Sequence, residues 1–234
     1  NVGIIGQGFV GTATYEGLRE HLEVYTYDKF LQEKSNCDSM RHVCEYAKIV
    51  FACLPTPMKK DGSCDLSILE KVVMEIDSYG LENIVVIKTE ANYIEDFKNQ
   101  NRIIIGGPRP ASTIVKNMFI KVFQEVPIIK TGASTAESVK YFTNCFLATK
   151  VSFANEFKQI CDQVDVDYDK VVEYALYDQR LGKSHFTTPG PDGRSGFGGS
   201  CFPKDINALI HYSERLGVKP LVLTAAWKKN LEVR

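Results

Sequence analysis

Apolar residues in the first 130 positions gather in short blocks separated by stretches of helical spacing. Residues 2–5, 22–27, 49–54, 84–87, 103–105 and 126–129 are runs of strand length, and 9–20, 36–47, 66–76 and 110–124 read as the helices between them. Strand and helix in alternation predict a doubly wound parallel sheet, an α/β domain over residues 1–131. The pattern then changes. Ser134-Thr135-Ala136-Glu137 has the form of a capping box and opens some 30 residues without Gly or Pro, which predicts a helix over 134–163. At 1.5 Å per residue it would be about 45 Å long. Its apolar residues, Val139, Phe142, Phe146, Val151, Phe153, Phe157 and Ile160, occupy more than one narrow stripe. Such a helix packs on several sides, as a spine between domains or subunits. Residues 132–234 are therefore expected to form an all-helical domain around it, ending in or just after a second long helix. No internal repeat or low-complexity segment interrupts the pattern.

Composition narrows the function classes. A chain of 234 residues, 44% hydrophobic and 24% charged, can bury a sizeable core, and a net charge of −1 gives no electrostatic footprint for nucleic acid or an acidic membrane surface. No apolar run approaches the roughly 20 residues of a membrane span, and the first residues enter a strand directly rather than a signal peptide. Seven cysteines, an odd number with no C-x-x-C, match no zinc spacing, and the four histidines are scattered, so no metal site is expected. Reduced thiols in a cytoplasmic protein fit best. An initiating Met is lacking, which leaves room for residues before Asn1.

Two motifs carry chemistry. Gly6-Gln7-Gly8-Phe9-Val10-Gly11 follows the first strand and opens the first helix, and Asp28 ends the second strand. This is the dinucleotide-binding (Rossmann) fingerprint: the glycines allow a tight turn, the helix N-terminus takes a pyrophosphate, and the acid accepts from the ribose hydroxyls. A carboxylate at Asp28 repels a 2′-phosphate and favours NAD over NADP, while Lys29 beside it pulls the other way. The second motif is Gly198-Gly199-Ser200-Cys201-Phe202-Pro203-Lys204-Asp205, a glycine loop presenting one thiol where a helix begins, with Pro203 in its first turn. Unpaired N–H groups and the positive end of a helix dipole favour an anionic nucleophile there. Glu137, Lys140 and Asn144 share one face of the long helix, either as solvated polar surface or as partners for Cys201.

Taken together, the glycine fingerprint, Leu54-Pro55-Thr56-Pro57, Lys140 with Asn144, Asp178-Gln179-Arg180 and the run from Gly196 to Asp205 resemble the UDP-glucose 6-dehydrogenase family of nucleotide-sugar dehydrogenases. The resemblance covers essentially the whole chain. It implies oxidation of the C6 alcohol of a UDP-sugar to a carboxylate with two NAD molecules in succession. Cys201 would carry a thiohemiacetal and then a thioester, Lys140 and Asn144 would hold the C6 oxygen, and Asp205 would manage protons with a bound water. Glu90 matches the second acid of a Pro-Glu-Phe-Leu-x-Glu motif. Pro55, Thr56, Pro57 and Lys204 match cofactor contacts, and Arg180, Phe197 and Gly198 match substrate contacts, Arg180 from across a subunit interface. A two-fold homodimer through the helical domain is expected.

The chain departs from that family in two places. The family has another strand and helix where Lys88 here runs directly into Thr89-Glu90, so a break is expected between Lys88 and Thr89. It also has a further C-terminal domain holding the UDP, which this chain does not reach. The loop 189–194, rich in turn formers, is longer than expected. GDP-mannose or UDP-N-acetylhexosamine oxidation by the same chemistry, and an inactive NAD-binding or dimerisation protein, are the alternative readings.

Overall fold

The computed structural model describes residues 1–88 and 94–234, so Glu90 and the junction of Lys88 with Thr89 lie outside the described residues. The chain divides into two compact units, residues 1–56 with 65–137, and residues 57–64 with 138–234.

The first unit is built on β1 (Val2–Ile5), α1 (Phe9–Leu18), β2 (Val24–Tyr27), α2 (Met40–Tyr46), β3 (Ile49–Ala52), α3 (Ser67–Ser78), β4 (Ile84–Ile87), α4 (Ile94–Lys98), β5 (Ile103–Gly106), α5 (Ala111–Val122) and β6 (Ile128–Thr131). Four strands pair in parallel in the order β2-β1-β3-β4. β1 and β3 are buried throughout because helices cover both faces, which is why they read as unbroken apolar runs. On one face Ile4, Phe51 and Val2 pack with Ala13 and Leu18 of α1 and Val115 and Phe119 of α5. On the other, Ile5 and Val50 meet Met40, Val43 and Cys44 of α2 and Ile76 of α3. Each Val, Ile, Leu, Met or Phe among them, fully buried, contributes about 1.5–3 kcal/mol.

The sheet differs from a continuous six-stranded one. Among the described residues β5 pairs only with β6, as a separate parallel ladder, although Ile103 and Ile105 join the core under β1 and β3. Chain order runs from β1 outward to β2 and then back to β3 on its other side. The C-terminal end of β1 is therefore the switch point of the sheet, where open α/β sheets bind ligands.

In the second unit, α6 (Ala133–Gln163) is followed by α7 (Tyr168–Ala175), α8 (Phe202–Arg215) and α9 (Leu221–Val233). α6 starts one residue early: Ala136 N–H donates to Gly132 O, so Ser134 lies inside the first turn rather than capping it. Cys145, Ala148, Ile206 and Ala226 form the contact of α6, α8 and α9, joined by a buried bond from Ser152 Oγ to Ala226 O, 2.7 Å. α7, unmarked in the sequence pattern, is capped by Asp167 and packs Tyr168 on Ala154 and Cys161. No described helix is long and apolar enough to cross a membrane.

Candidate active site

The glycine loop occupies the switch point. Gly6 has φ +92°, and a Cβ there would fall 2.4 Å from Cys53 O; one on Gly11 would fall 1.8 Å from Gly6 O. Both positions require glycine for the strand to turn into α1 at this radius. Gly8 has nothing within 4 Å of where a Cβ would be, and α1 starts there with no side-chain cap. Its first N–H groups are therefore available to an anion.

Asp28 braces this loop. Its Oδ2 accepts from Gln7 N–H at 2.6 Å and its Oδ1 from Phe30 and Leu31 N–H at 2.8 and 2.9 Å. Burial pushes the carboxyl up, but these backbone donors and Lys34 outweigh it and hold it below the usual carboxylate range. Gly8, Phe9, Thr12, Leu31, Lys34, Ile94 and Glu95 line a cavity of about 640 Å³. The cation at that cavity is Lys34, whose Nζ reaches Gln7 O and Thr12 Oγ1 at 3.4 and 3.3 Å, whereas Lys29 is exposed and not among the lining residues. Sequence reasoning missed Lys34, because only the short 3₁₀ turn Gln32–Lys34 returns it to the loop. Gln7, 2% exposed, buries an Nε2 with no partner. A tight glycine turn, an uncapped helix start, an orphaned donor and a carboxylate fit a dinucleotide.

The second cluster centres on Asp205, in the first turn of α8. Its side chain is 1% exposed, and it gathers three partners: Asn144 Nδ2 donates to Oδ2 at 2.7 Å, Lys204 Nζ donates to Oδ1 at 2.5 Å, and Lys140 Nζ forms an ion pair with Oδ2 at 3.4 Å. Lys140 and Asn144 come from successive turns of α6, four residues apart and hence on one face. Burial pushes the Asp205 carboxyl up; Lys140, Lys204 and Asn144 outweigh it and bring it below its ordinary value. Lys204, although burial pulls its ammonium down, is raised by the bond to Asp205.

Cys201 flanks α8 with helical φ and ψ, −90° and −61°, and its C=O accepts from Asp205 N–H at 2.9 Å. Four residues apart on a helix, Cys201 and Asp205 are neighbours, with Cβ atoms about 5–6 Å apart. The thiol lies 3.8 Å from Ser200 Oγ. Cys145, next to Asn144, is a poor rival: burial pushes its thiol up to about 12.

Other candidates fall elsewhere in the two units. Pro55 is exposed and Thr56 half-buried at the end of the sheet unit, while Pro57 belongs to the helical unit. Val10 lies in the first turn of α1. Arg180 sits on an exposed 3₁₀ turn and pairs with Asp178, Nη2 to Oδ2 at 2.5 Å. Phe197 is buried against Phe202 and Trp227, so its ring is core, and Gly198 lies beside the Arg234 guanidinium.

In the α/β unit a glycine loop that fits a dinucleotide closes the first strand, and in the helical unit a cysteine begins the helix that carries the Asp205 cluster. Residues 134–232 match the central domain of the UDP-glucose/GDP-mannose dehydrogenase family. The chain carries that family's domain and is a homologue of UDP-glucose 6-dehydrogenases. It is 29% identical to UDP-glucose 6-dehydrogenase TuaD of Bacillus subtilis over 221 residues, 80% of this chain and 47% of the relative. It is 30% identical to UDP-glucose 6-dehydrogenase AglM of Haloferax volcanii over 246 residues, 84% of this chain and 56% of the relative. That alignment is longer than the 234-residue chain itself, so AglM holds segments with no counterpart here. A UDP-glucose dehydrogenase structure from Pyrobaculum islandicum superposes with a TM-score of 0.82 at 25% identity, over 99% of this chain and 68% of that one. The chain spans about half the length of the curated relatives it matches.

Proposed function

We propose that this chain provides the cofactor-binding and catalytic parts of an NAD-dependent UDP-glucose 6-dehydrogenase acting as a homodimer. The observation that carries the reading is the buried Asp205 carboxylate, which holds Lys140, Asn144 and Lys204 one helical turn from Cys201.

The glycine loop, with Asp28, Gln7 and Lys34, would hold NAD, which supplies a two-electron acceptor, one hydride per molecule and two per acid formed. Loss of the first hydride and the hydroxyl proton converts the C6 alcohol to an aldehyde. Cys201 Sγ then adds to the aldehyde carbon, giving a thiohemiacetal whose oxygen is steadied by the Lys140 ammonium. Loss of the second hydride leaves a thioester; water opens it, releasing the carboxylate and restoring the thiol. Asp205, held ionised among its donors, is better suited to orienting that water and fixing Lys140 and Asn144 than to keeping a proton. Glu90 belongs to the proposal through the family resemblance.

The test measures NADH released by the full-length protein from UDP-glucose, GDP-mannose and UDP-N-acetylhexosamines. Two NADH per UDP-glucose is the expected result, and turnover of another sugar alone would move the substrate assignment. Cys201→Ser should abolish acid formation while leaving calorimetric NAD affinity within about twofold, since a hydroxyl lacks a thiolate's ionised fraction. Uronate production at the wild-type rate by Cys201→Ser would refute the covalent role.

A further inference from the structure

The segment leading to Cys201 is fastened by two asparagines that neither motif includes. Asn155, in the middle of α6, is 4% exposed and Asn230, late in α9, is 1% exposed. A buried amide inside a helix is costly unless its bonds are made, and asparagine is a weak helix former. Asn230 places both of its bonds, and Asn155 one of three, on the backbone of Gly196 and Phe197. Asn155 Oδ1 accepts from Gly196 N–H at 3.0 Å and from Thr188 Oγ1 at 2.9 Å, while its Nδ2 donates to Val151 O at 2.9 Å. Asn230 grips Phe197 at both ends, Oδ1 accepting from its N–H at 2.6 Å and Nδ2 donating to its C=O at 3.0 Å. Gly196, at φ +70°, admits this grip, since a Cβ there would stand 2.5 Å from Asn230 Oδ1. Downstream, α8 takes hold at Phe202, with Cys201 O already accepting from Asp205 N–H. Only Gly198, Gly199 and Ser200 separate the clamp from Cys201.

We propose that Asn155 and Asn230 are positioning residues that set where Cys201 Sγ stands relative to Asp205, Lys140 and Asn144. This rests on the role given to Cys201 under the proposed function. Misplacing a reacting group by about 1 Å can cost about 100-fold in rate. The clamp is thus a lever on the covalent step that touches no substrate.

The experiment uses the full-length protein with Asn230→Ala and Asn230→Asp, the latter turning a donor into an acceptor that faces Phe197 O. Expected is a fall of about 100-fold in kcat for acid formation per folded molecule, with the KM for UDP-glucose and the Kd for NAD each within about threefold. A purely architectural role would instead lower the melting temperature and leave kcat per folded molecule unchanged, which would overturn the proposal. Asn230→Ser, which keeps a hydroxyl, stands in if Asn230→Ala does not fold and is judged in the same way. A second readout needs no turnover: iodoacetamide alkylation of Cys201, followed by peptide mass spectrometry against Cys37 in the same molecule. The clamp variants should shift that ratio at least threefold, and an unchanged ratio in folded protein would refute the clamp. If the wild-type protein oxidises no nucleotide sugar, the proposed function fails and the alkylation ratio still decides the clamp.

Discussion

At the scale of single residues, Asp205 is the buried charge on which Lys140, Lys204 and Asn144 converge. Its carboxyl lies below 3.8 in the folded protein, so the unfolded chain takes up a proton first as pH falls. The stabilisation is whole above about pH 4 and is lost as pH drops through the lowered folded value. Asp205→Ala leaves Lys140 and Lys204, each 16% exposed, without their shared counter-charge. Loss of one partner of a buried pair costs about 3 kcal/mol, so urea titrations at pH 7 should show a destabilisation of that order that shrinks towards pH 3. A variant as stable as the wild type at both pH values would contradict this. Cys201, Lys140, Asn144 and Asp205 were legible beforehand because each combines a chemically unusual residue with a glycine loop or a shared helix face. Asn155, Asn230 and Lys34 were not, since their partners outside their own helix lie 22 to 41 residues away in sequence and a polar residue in a helix reads as solvated surface.

At the scale of elements, the pattern located the strands and longer helices, and local chemistry moved their ends. The helix expected from residue 36 starts at Met40, because Ser39 Oγ accepts from His42 N–H and caps it there. The strand expected at 126–129 runs from Ile128 to Thr131, since Pro127 offers no N–H to a ladder. The division of the strands into four and two was not readable, because pairing partners are a property of neighbours and not of a strand's own residues. Gly6→Val is the sharpest test of an element boundary. It puts a β-branched side chain at φ +92° with its Cβ against Cys53 O, so the turn into α1 has to shift. The expected outcome is loss of calorimetric NAD binding together with a fall in melting temperature; wild-type affinity in the variant would mean the loop is not the cradle.

At the scale of the whole molecule, the several-sided apolar pattern of the long helix finds only part of its cover among the described residues. Val151 packs under α8 and α9, but Phe142 and Phe146, stacked with centroids 6.2 Å apart, are 73% and 58% exposed. Phe153 and Ile160 are also more than half exposed. Large exposed apolar groups on one element mark an interaction surface, and a second copy of the chain is the partner the proposed homodimer supplies. Sedimentation of the wild-type protein at micromolar concentration should give a dimer, and Phe146→Glu with Phe153→Glu a folded monomer. A monomeric wild type would remove the basis for any role of Arg180 across an interface.

The excursion of residues 57–64 bears on how this protein can be divided. Lys59 N–H bonds Ser63 O, Met58 bridges Cys64, and a Cβ on Gly62 would lie 3.5 Å from Asn207 Cβ, so a small hairpin is seated on α8 although it is translated between β3 and α3. A protease cut or a cloning boundary at 137/138 therefore does not release a finished module. A fragment of residues 138–234 expressed alone should be less protected in amide exchange along α8 than the same helix in the whole chain, and adding residues 57–64 as a peptide should restore part of the difference. The helical unit is inherited from two places in the gene, and a recombination event that moves only the later one leaves it incomplete.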